Sequence, residues 1–245
     1  MRKNAARGRF FWIRRRRAIM DEGVEAQKRA AGEAAVDRYV RDGMCVGLGT
    51  GSTALWAIRR VGERVAGGEA IVAVATSSAT EALCAELRIP LVDLLDGDMA
   101  IAIDGADEVA PDFALTKGGG GALFREKSVA LAAERFIVVV DERKIVKQLG
   151  EFPTPVEVVP YALPWVQREI TRCMPGVPIT QRGGTAFRTD NGNVLLDCAF
   201  GTIANPRELD QELRKIHGVV ATGLFFDIAH TIIVAGPSGV YDLKR

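Results

Sequence analysis

The sequence carries almost no net charge. Its 32 lysines and arginines nearly balance its 31 aspartates and glutamates, which leaves a formal charge of +1 over 245 residues. Without a basic excess, the chain lacks the long-range field that attracts nucleic acid or an anionic membrane surface. We therefore expect neither as a partner, and any anion site must be built from local groups.

Histidine and cysteine are scarce as well. The two histidines lie in the second half of the chain, away from the acidic and glycine-rich segments described below, so we do not expect a histidine as general base. The four cysteines form no CxxC pair and have no histidine at zinc-binding spacing. They are Cys45, Cys84, Cys173 and Cys198. We expect reduced, mostly buried thiols.

Long apolar runs are missing too. The apolar stretches are short, such as Phe136–Val140, whereas a membrane-spanning helix needs about 20 residues. Near the start, Arg14–Arg17 follow the apolar Phe10–Ile13, the reverse of the order in a signal peptide. We expect a cytoplasmic protein whose residues 1–20 are a disordered extension, translated from an upstream start codon. A basic arm that contacts a partner is the alternative.

Helical and strand patterns alternate through the first half of the chain. Helices are predicted at 24–40, from the glycine-rich turn to 66, from Ser77 or Ser78 onward, and at 122–135. Strands are predicted at 44–48, 71–75, 91–92, 99–103 and 136–140. Such alternation is typical of an α/β fold with a mostly parallel sheet covered by helices on both faces.

The order of elements changes after the proline-rich segment Phe152–Pro155, where we predict a linker. Beyond it we expect a strand at 156–159, helices at 163–173 and 206–216, and a hairpin of 179–188 with 194–198. A closing strand at 231–234 returns to the large sheet. The predicted domains are therefore 21–152 with 228–245, and a small inserted α+β domain at 153–227.

The first candidate site is the turn Gly47–Thr53, which follows a predicted strand and leads into a helix. Glycines allow close backbone approach, and amides and hydroxyls at a helix N-terminus hold phosphate or carboxylate. The segment lacks the GKT or GKS ending of a nucleotide-binding P-loop and the spacing of a dinucleotide-binding GxGxxG motif. The alternative is an ordinary tight turn capped by Ser52.

The second candidate is the acidic turn Asp104–Glu108 at the end of a predicted strand. Open α/β sheets bind ligands at this edge, and crowded carboxylates raise one another's pKa, which suits proton transfer. A divalent metal ion or an inert solvated turn are the alternatives. With no histidine or further acidic ligand nearby, we predict no metal.

The third candidate is the segment Lys117–Lys127, which begins with a lysine and four consecutive glycines. Four glycines cost backbone entropy, which indicates that the backbone must approach a ligand closely, with Lys117 adding positive charge. Glu126, on the following helix, is a candidate base. A solvated glutamate between Arg125 and Lys127 is the alternative. Lys144, after the strand 136–140, is either part of a phosphate pocket or a surface lysine.

Six motifs occur in an order and spacing that closely resemble the A-type ribose-5-phosphate isomerase family. They are GLGTGSTA at 47–54, ATSSATEA at 75–82, DGADE at 104–108, KGGGGALFREK at 117–127, FPTPVEVVP at 152–160 and TDNGN at 189–193. The resemblance implies a large Rossmann-like domain with a small ferredoxin-like domain. It also implies interconversion of ribose 5-phosphate and ribulose 5-phosphate, in the non-oxidative branch of the pentose phosphate pathway, without a cofactor.

The resemblance also implies which residues form the site. Glu126 would move the proton, Asp104 would assist ring opening, and Lys117 with the adjacent amides would stabilise the enediolate. Asp107 would be a further catalytic residue. The implied substrate-binding residues are Thr50, Gly51, Ser52, Thr53, Asp104, Gly105, Ala106, Asp107, Lys117, Gly118, Gly119, Gly120 and Lys144. Lys28 or Arg29 resembles a family lysine near the phosphate. We expect a pentose 5-phosphate substrate and a homodimer or a dimer of dimers.

Two other functions are consistent with parts of the sequence. An amino-sugar phosphate deaminase or a lactonase would usually need a catalytic histidine near the carboxylates, and the sequence has none near the acidic turn 104–108. A sugar-phosphate sensor of a transcription regulator would need a helix-turn-helix segment, for which the arginine-rich head is too short.

Overall fold

The computed structural model describes residues 22–94 and 98–245. The predicted extension at 1–20 lies outside this part of the chain. The described strands are β1 (Cys45–Leu48), β2 (Val72–Ala75), β3 (Met99–Asp104), β4 (Glu108–Val109), β5 (Leu115–Thr116), β6 (Arg135–Asp141), β7 (Thr154–Val158), β8 (Ile179–Gln181), β9 (Val194–Cys198), β10 (Val219–Thr222), β11 (Leu224–Phe225), β12 (Ala229–Gly236) and β13 (Gly239–Lys244). The helices are α1 (22–39), α2 (Ala54–Ala66), α3 (Ser78–Glu86), α4 (Leu123–Ala132), α5 (Leu163–Cys173) and α6 (Pro206–Lys215).

A six-stranded sheet lies at the centre of the fold, in the order β13, β12, β6, β3, β1, β2. Every neighbouring pair is parallel except β12 with the edge strand β13. The prediction of a mostly parallel α/β sheet is confirmed. Its parallel order brings the carboxyl ends of β1, β3 and β6 to one edge.

Helices cover both faces of this sheet. Ile137 and Val139 of β6 share one buried cluster with residues of α1, α2 and α3, whereas Val138 and Val140 share another with residues of α4. Successive side chains of a strand point to opposite faces. A strand buried on both faces therefore reads as a continuous apolar run, which is why this strand was found in the sequence without an alternating pattern.

A second, antiparallel sheet has the order β10, β7, β9, β8. Its own apolar core includes Val156 and Leu196 from the strands and Val166, Ile170 and Leu213 from α5 and α6. A third sheet, in the order β11, β5, β4, pairs a strand from the second half of the chain with two strands from the first.

The predicted hairpin arm at 179–188 is wrong beyond Gln181, where β8 ends. Gly183 and Gly184 both have φ near +59°, a left-handed conformation that turns the chain away from β9. The segment 182–193 is consequently a long loop that reaches back to the main sheet.

The predicted linker at 152–155 is also partly wrong, because β7 begins at Thr154 and includes Pro155. Proline is tolerated near the start of a strand, where the missing N–H costs least. Its carbonyl still accepts a hydrogen bond of 2.7 Å from Gly223 N. The closing strand is longer than predicted, and the sequence did not indicate the edge strand β13 that follows it.

Candidate active site

Loops at the carboxyl edge of the main sheet surround one cavity of about 80 Å³. One loop follows β1, another follows β3, and a short 3-10 turn follows β6; the glycine-rich loop after β5 completes the wall. Ligands of open α/β sheets bind at this edge. The lining residues are Thr50, Gly51, Ser52, Thr53, Gly105, Ala106, Asp107, Lys117, Gly118, Gly119, Gly120, Glu126 and Lys144.

The lining contains Glu126 and every residue that the resemblance assigned to substrate binding except Asp104. Asp104 is buried and contacts the site through Lys117. Lys28 and Arg29 are not in the lining, and both form ion pairs with glutamates of α1. The structure thus brings the predicted residues together, while their roles stay predictions.

Lys117 lies between two buried carboxylates. Its Nζ is 2.8 Å from Asp104 Oδ2 and 3.1 Å from Glu126 Oε2, and it donates to the Gly105 carbonyl at 2.6 Å. All three side chains are at most 3% exposed. Burial alone would lower the pKa of Lys117, but the two carboxylates outweigh burial and raise it. The site therefore holds a permanent positive charge beside two acids.

Of the two acids, Asp104 has more hydrogen-bond donors. Its Oδ1 accepts hydrogen bonds from Gly105 N at 2.7 Å and Thr50 N at 3.1 Å. A Cβ on Gly49 would stand only 2.0 Å from the same oxygen, so glycine is required for the β1 loop to approach the carboxylate. Burial raises the pKa of Asp104, although Lys117 and the two amides oppose the rise.

Glu126 is the less satisfied of the two acids. It lies in the first turn of α4 on the buried side of the helix with Leu123 and Ala130, so the alternative of a solvated glutamate is wrong. Its Oε2 has the Lys117 ammonium at 3.1 Å as an ion-pair partner but lacks a well-aligned hydrogen bond within 22–94 and 98–245. Burial raises its pKa to about 8, the negative charge of Asp104 adds to the rise, and Lys117 opposes it. A carboxyl with such a pKa is suited to exchange protons near neutral pH.

The acidic turn does not act as one cluster. Asp107 Oδ2 accepts a hydrogen bond of 2.7 Å from Gly119 N and so faces the cavity. Glu108 instead accepts from Thr116 Oγ1, Gly150 N and Phe152 N, at 2.8 to 3.0 Å. Our expectation of three crowded carboxylates is therefore wrong for Glu108, whose role is to hold neighbouring loops.

The β1 loop presents small polar groups to the cavity. Gly51 has φ of +128°, which a side chain would strain. The N-cap of α2 is Thr53 rather than Ser52, and Thr53 makes no capping hydrogen bond through its side chain. The hydroxyls of Ser52 and Thr53 therefore do not cap α2. They line the cavity at the start of this helix, where the helix dipole favours an anion.

A hydroxyl network behind this loop was missed in the sequence. Thr50 Oγ1 donates to Ser77 Oγ at 2.7 Å and lies 2.8 Å from Thr76 Oγ1, and Thr80 Oγ1 donates to Gly49 O at 2.9 Å. Thr76, Ser77 and Thr80 are all buried. The motif ATSSATEA contains them, but nothing in its composition shows that the β2 end faces the β1 loop; only the parallel pairing of β1 and β2 does.

Among residues 22–94 and 98–245, no group of three or more histidine, cysteine, aspartate or glutamate residues is arranged to hold a metal ion. Within the same ranges, no helix combines the length and the apolar character needed to cross a bilayer.

A buried ammonium between two carboxylates, open to a cavity of glycine amides and hydroxyls at the sheet's carboxyl edge, defines an α/β protein with an acid–base site for a small anionic ligand. The family model described as Ribose 5-phosphate isomerase A (phosphoriboisomerase A) matches residues 72–239. The chain belongs to this family, as its motifs predicted.

Relatives in the family support this assignment over most of the chain. A ribose-5-phosphate isomerase A of Sphingopyxis alaskensis is 48% identical over 211 residues, which cover 86% of this chain and 92% of that protein. One from Bacillus mycoides is 43% identical over 215 residues, covering 87% and 97%.

Solved structures agree with the sequence relatives. A D-ribose-5-phosphate isomerase in complex with phospho-erythronic acid superposes with a TM-score of 0.86 at 39% identity, covering 91% of this chain and 99% of the other. Ribose 5-phosphate isomerase A of Methanocaldococcus jannaschii gives 0.84 at 40% identity, covering 90% and 99%. The predicted α/β fold is confirmed by both.

Proposed function

We propose that the chain interconverts D-ribose 5-phosphate and D-ribulose 5-phosphate, as an aldose-ketose isomerase that needs no cofactor. Family membership supports the reaction. The observation that carries the proposal is the buried arrangement of Glu126, Lys117 and Asp104 beside the cavity. It combines an acid with a pKa near 8 and a fixed positive charge, the two groups that an enediolate mechanism requires.

We propose that the substrate's phosphate is held by the small polar groups of the β1 loop with help from Lys144. The hydroxyls of Ser52 and Thr53 at the start of α2 are suited to this. A solved relative is in complex with phospho-erythronic acid, which supports a phosphorylated ligand. Binding of the remote phosphate positions the reacting carbons and lowers the entropic cost of proton transfer.

The proton transfer is assigned to Glu126. In the open-chain aldose, the Glu126 carboxylate takes the proton from C2, and the electron pair forms the C1–C2 double bond while the C1 oxygen gains negative charge. The ammonium of Lys117, 3.1 Å from Glu126, stabilises that oxygen. The proton of the C2 hydroxyl moves to the C1 oxygen, so that the negative charge passes to the C2 oxygen. Glu126 then returns its proton to C1 while the C2 oxygen forms the C2=O double bond, which completes the ketose. Ring opening transfers the proton of the anomeric hydroxyl to the ring oxygen, and Asp104, which contacts the site through Lys117, assists that transfer.

The test is an assay of purified protein with ribose 5-phosphate in the presence of a chelator. Formation of ribulose 5-phosphate supports both the reaction and its independence from added metal. Activity that disappears with chelator and returns with a divalent ion would overturn the cofactor-free mechanism. Absence of product under all conditions would overturn the proposed function.

We also propose a cytoplasmic homodimer, with a dimer of dimers as the alternative. The four cysteines are unpaired thiols in the structure, which supports a reducing compartment. We propose in addition that 21–152 with 228–245 and the inserted 153–227 are separate domains, since the second sheet has its own apolar core. Light scattering after size-exclusion chromatography measures the assembly, and fluorescence microscopy of the tagged chain measures its location.

A further inference from the structure

Arg182 connects the second sheet to the glycine-rich loop of the site. It follows β8 directly, and its Nη1 donates to two consecutive carbonyls, Gly118 O at 2.7 Å and Gly119 O at 3.1 Å. Both glycines line the cavity, whereas Arg182 does not. Arg182 therefore contacts the outer side of the wall that a ligand would touch from the inner side.

The guanidinium is itself held in one orientation. Its Nε donates to Asp197 Oδ2 at 2.9 Å, and its Nη2 donates to Asp197 Oδ1, so the carboxylate of β9 binds the guanidinium through two parallel hydrogen bonds. The backbone N–H of Arg182 also donates to Leu195 O at 2.9 Å. A bidentate pair of this kind adds geometric restraint as well as energy.

The restraint passes to the peptide units of the loop. A trans peptide is planar, with its C=O and N–H pointing in opposite directions. In the unit joining Gly118 to Gly119, Arg182 holds the carbonyl and Asp107 accepts the N–H at 2.7 Å, so both ends are fixed. In the next unit Arg182 holds the Gly119 carbonyl, which turns the N–H of Gly120 away from Arg182, and Gly120 lines the cavity.

The loop needs such an external restraint. Its four glycines have no side chains with which to fix their own backbone, and glycine has the largest conformational freedom of any residue. Gly118 and Gly121 have φ of +98° and +87°, and one internal hydrogen bond, Gly121 N to Gly118 O at 2.9 Å, spans the turn. Preorganised amides stabilise developing negative charge because they need not reorient during the reaction.

We propose that Arg182, held by Asp197, is a positioning residue for the isomerisation: it orients the glycine-rich loop so that the Gly120 N–H points toward the negative charge of the bound sugar phosphate. The inference rests on the proposed function for its kinetic consequence. Its structural consequence, an ordered loop 118–121, holds whatever reaction the site performs.

The first measurement is kinetic. Arg182→Ala lowers kcat/KM by about 10- to 100-fold, because one removed oxyanion donor costs about 100-fold or more and here a donor is misoriented rather than deleted. Added guanidinium at millimolar concentration restores part of the loss in a saturable manner, and equal urea does not. Arg182→Lys keeps the positive charge but cannot make the two parallel hydrogen bonds of a guanidinium, so its kcat/KM lies between those of wild type and Arg182→Ala. Arg172→Ala is the control, since Arg172 also donates through Nε and Nη2 to a carboxylate, here to the single oxygen Oε2 of Glu169 on α5.

The second measurement is amide hydrogen exchange of the loop. In Arg182→Ala the Gly119 and Gly121 amides exchange at least ten-fold faster, while those of α5 and α6 are unchanged. Added guanidinium should leave the activity of Glu126→Gln unchanged, because that variant lacks the base itself. This control separates loss of the base from loss of loop positioning. A kcat/KM of Arg182→Ala within two-fold of wild type would overturn the kinetic role. Unchanged loop exchange in Arg182→Ala would overturn the structural role, even if the protein proves to be no isomerase.

Discussion

Glu126 lies on α4 and Glu134 lies two residues beyond its end, yet Glu126 is 3% exposed and Glu134 is on the surface. The difference is positional. Glu126 shares the buried side of α4 with Leu123 and Ala130, at spacings of three and four residues, which places it on one helix face. A charged residue at a core position is costly unless it is paired, so its presence there indicates a function.

Substitution of this carboxylate should therefore remove the reaction while sparing the fold. Glu126→Gln keeps the size of the side chain but cannot accept a proton, and we expect kcat to fall by about 1000-fold or more with KM changed only slightly. Glu134→Gln is the control and should leave both parameters within two-fold of wild type. The measurement is steady-state isomerisation; near-normal turnover of Glu126→Gln would exclude Glu126 as the base.

The pH dependence of activity follows from the same group. Because burial raises the pKa of Glu126 to about 8, most free enzyme at pH 6 holds this carboxyl protonated and unable to act as a base. We expect kcat/KM to rise about ten-fold per pH unit up to pH 7 and to level off above pH 8. A profile flat from pH 5 to pH 9 would contradict the assignment.

Stability should vary with pH in the opposite sense. The pKa of Glu126 is raised in the fold from 4.5 to about 8, so the protonated form is favoured by folding. The associated stability is fully present below pH 4.5 and is lost as pH rises through about 8. The difference in unfolding free energy between wild type and Glu126→Gln, measured by urea titration, should therefore change between pH 5 and pH 9. A constant difference would show that the carboxyl titrates normally.

At the scale of elements, the tight approach of the β1 loop to Asp104 depends on Gly49. An alanine Cβ would stand 2.0 Å from Asp104 Oδ1, so Gly49→Ala must displace the carboxylate from Lys117 or move the loop. We expect a loss of activity of at least 100-fold and a stability cost of about 1 to 3 kcal/mol, as for other overpacked sites.

The matched control for that substitution is Gly23→Ala. Gly23 lies on the exposed side of α1 with nothing within 4 Å of the added carbon, so the change should be neutral to within about 0.5 kcal/mol. Activity assays and urea unfolding of both variants make the comparison. An active Gly49→Ala variant would mean that the Asp104 carboxylate is not needed at its observed position.

The sequence predicted five of the six strands of the main sheet because each is a buried apolar run, whereas the edge strand β13, which is half-buried or exposed, was not indicated. The site loops were predictable for a related reason, since carboxyl ends of parallel strands share one edge. Short strands such as β4, β5 and β11, two residues each, carry no periodicity and exist through pairing with distant segments. Arg182 was missed because its partners lie 63 and 64 residues away, a separation that no local pattern reports.

At the scale of the whole molecule, the turn 189–193 of the second sheet docks onto the helices that flank the site. Asp190 Oδ2 accepts a hydrogen bond of 2.8 Å from Ser78 N at the start of α3, and Asn191 Oδ1 accepts one of 3.1 Å from Arg125 Nε on α4. Arg125 precedes Glu126 in the chain. The second sheet thus supports the site twice, through this turn and through Arg182.

A single buried carboxylate, Glu157 of β7, organises that turn. Its Oε1 accepts hydrogen bonds from Thr189 Oγ1 at 2.9 Å and from the side-chain amides of Asn191 and Asn193 at 3.2 and 2.9 Å. Glu157 is fully buried. Removing an acceptor that serves three donors leaves each of them without a partner, which costs more than the bonds themselves contribute.

Glu157→Ala should therefore destabilise the protein by about 3 kcal/mol and, under conditions where it is still folded, lower kcat by releasing the turn from Arg125. Glu157→Gln keeps one acceptor oxygen and should lose less than half as much stability. Urea unfolding and steady-state assays of both variants measure these effects. The control is Glu169→Gln, because Glu169 forms an ion pair with the exposed Arg172, and we expect its stability to lie within about 0.5 kcal/mol of wild type. If Glu157→Ala is as stable and active as that control, the turn is held by its contacts with α3 and α4, and the second sheet does not support the site through Glu157.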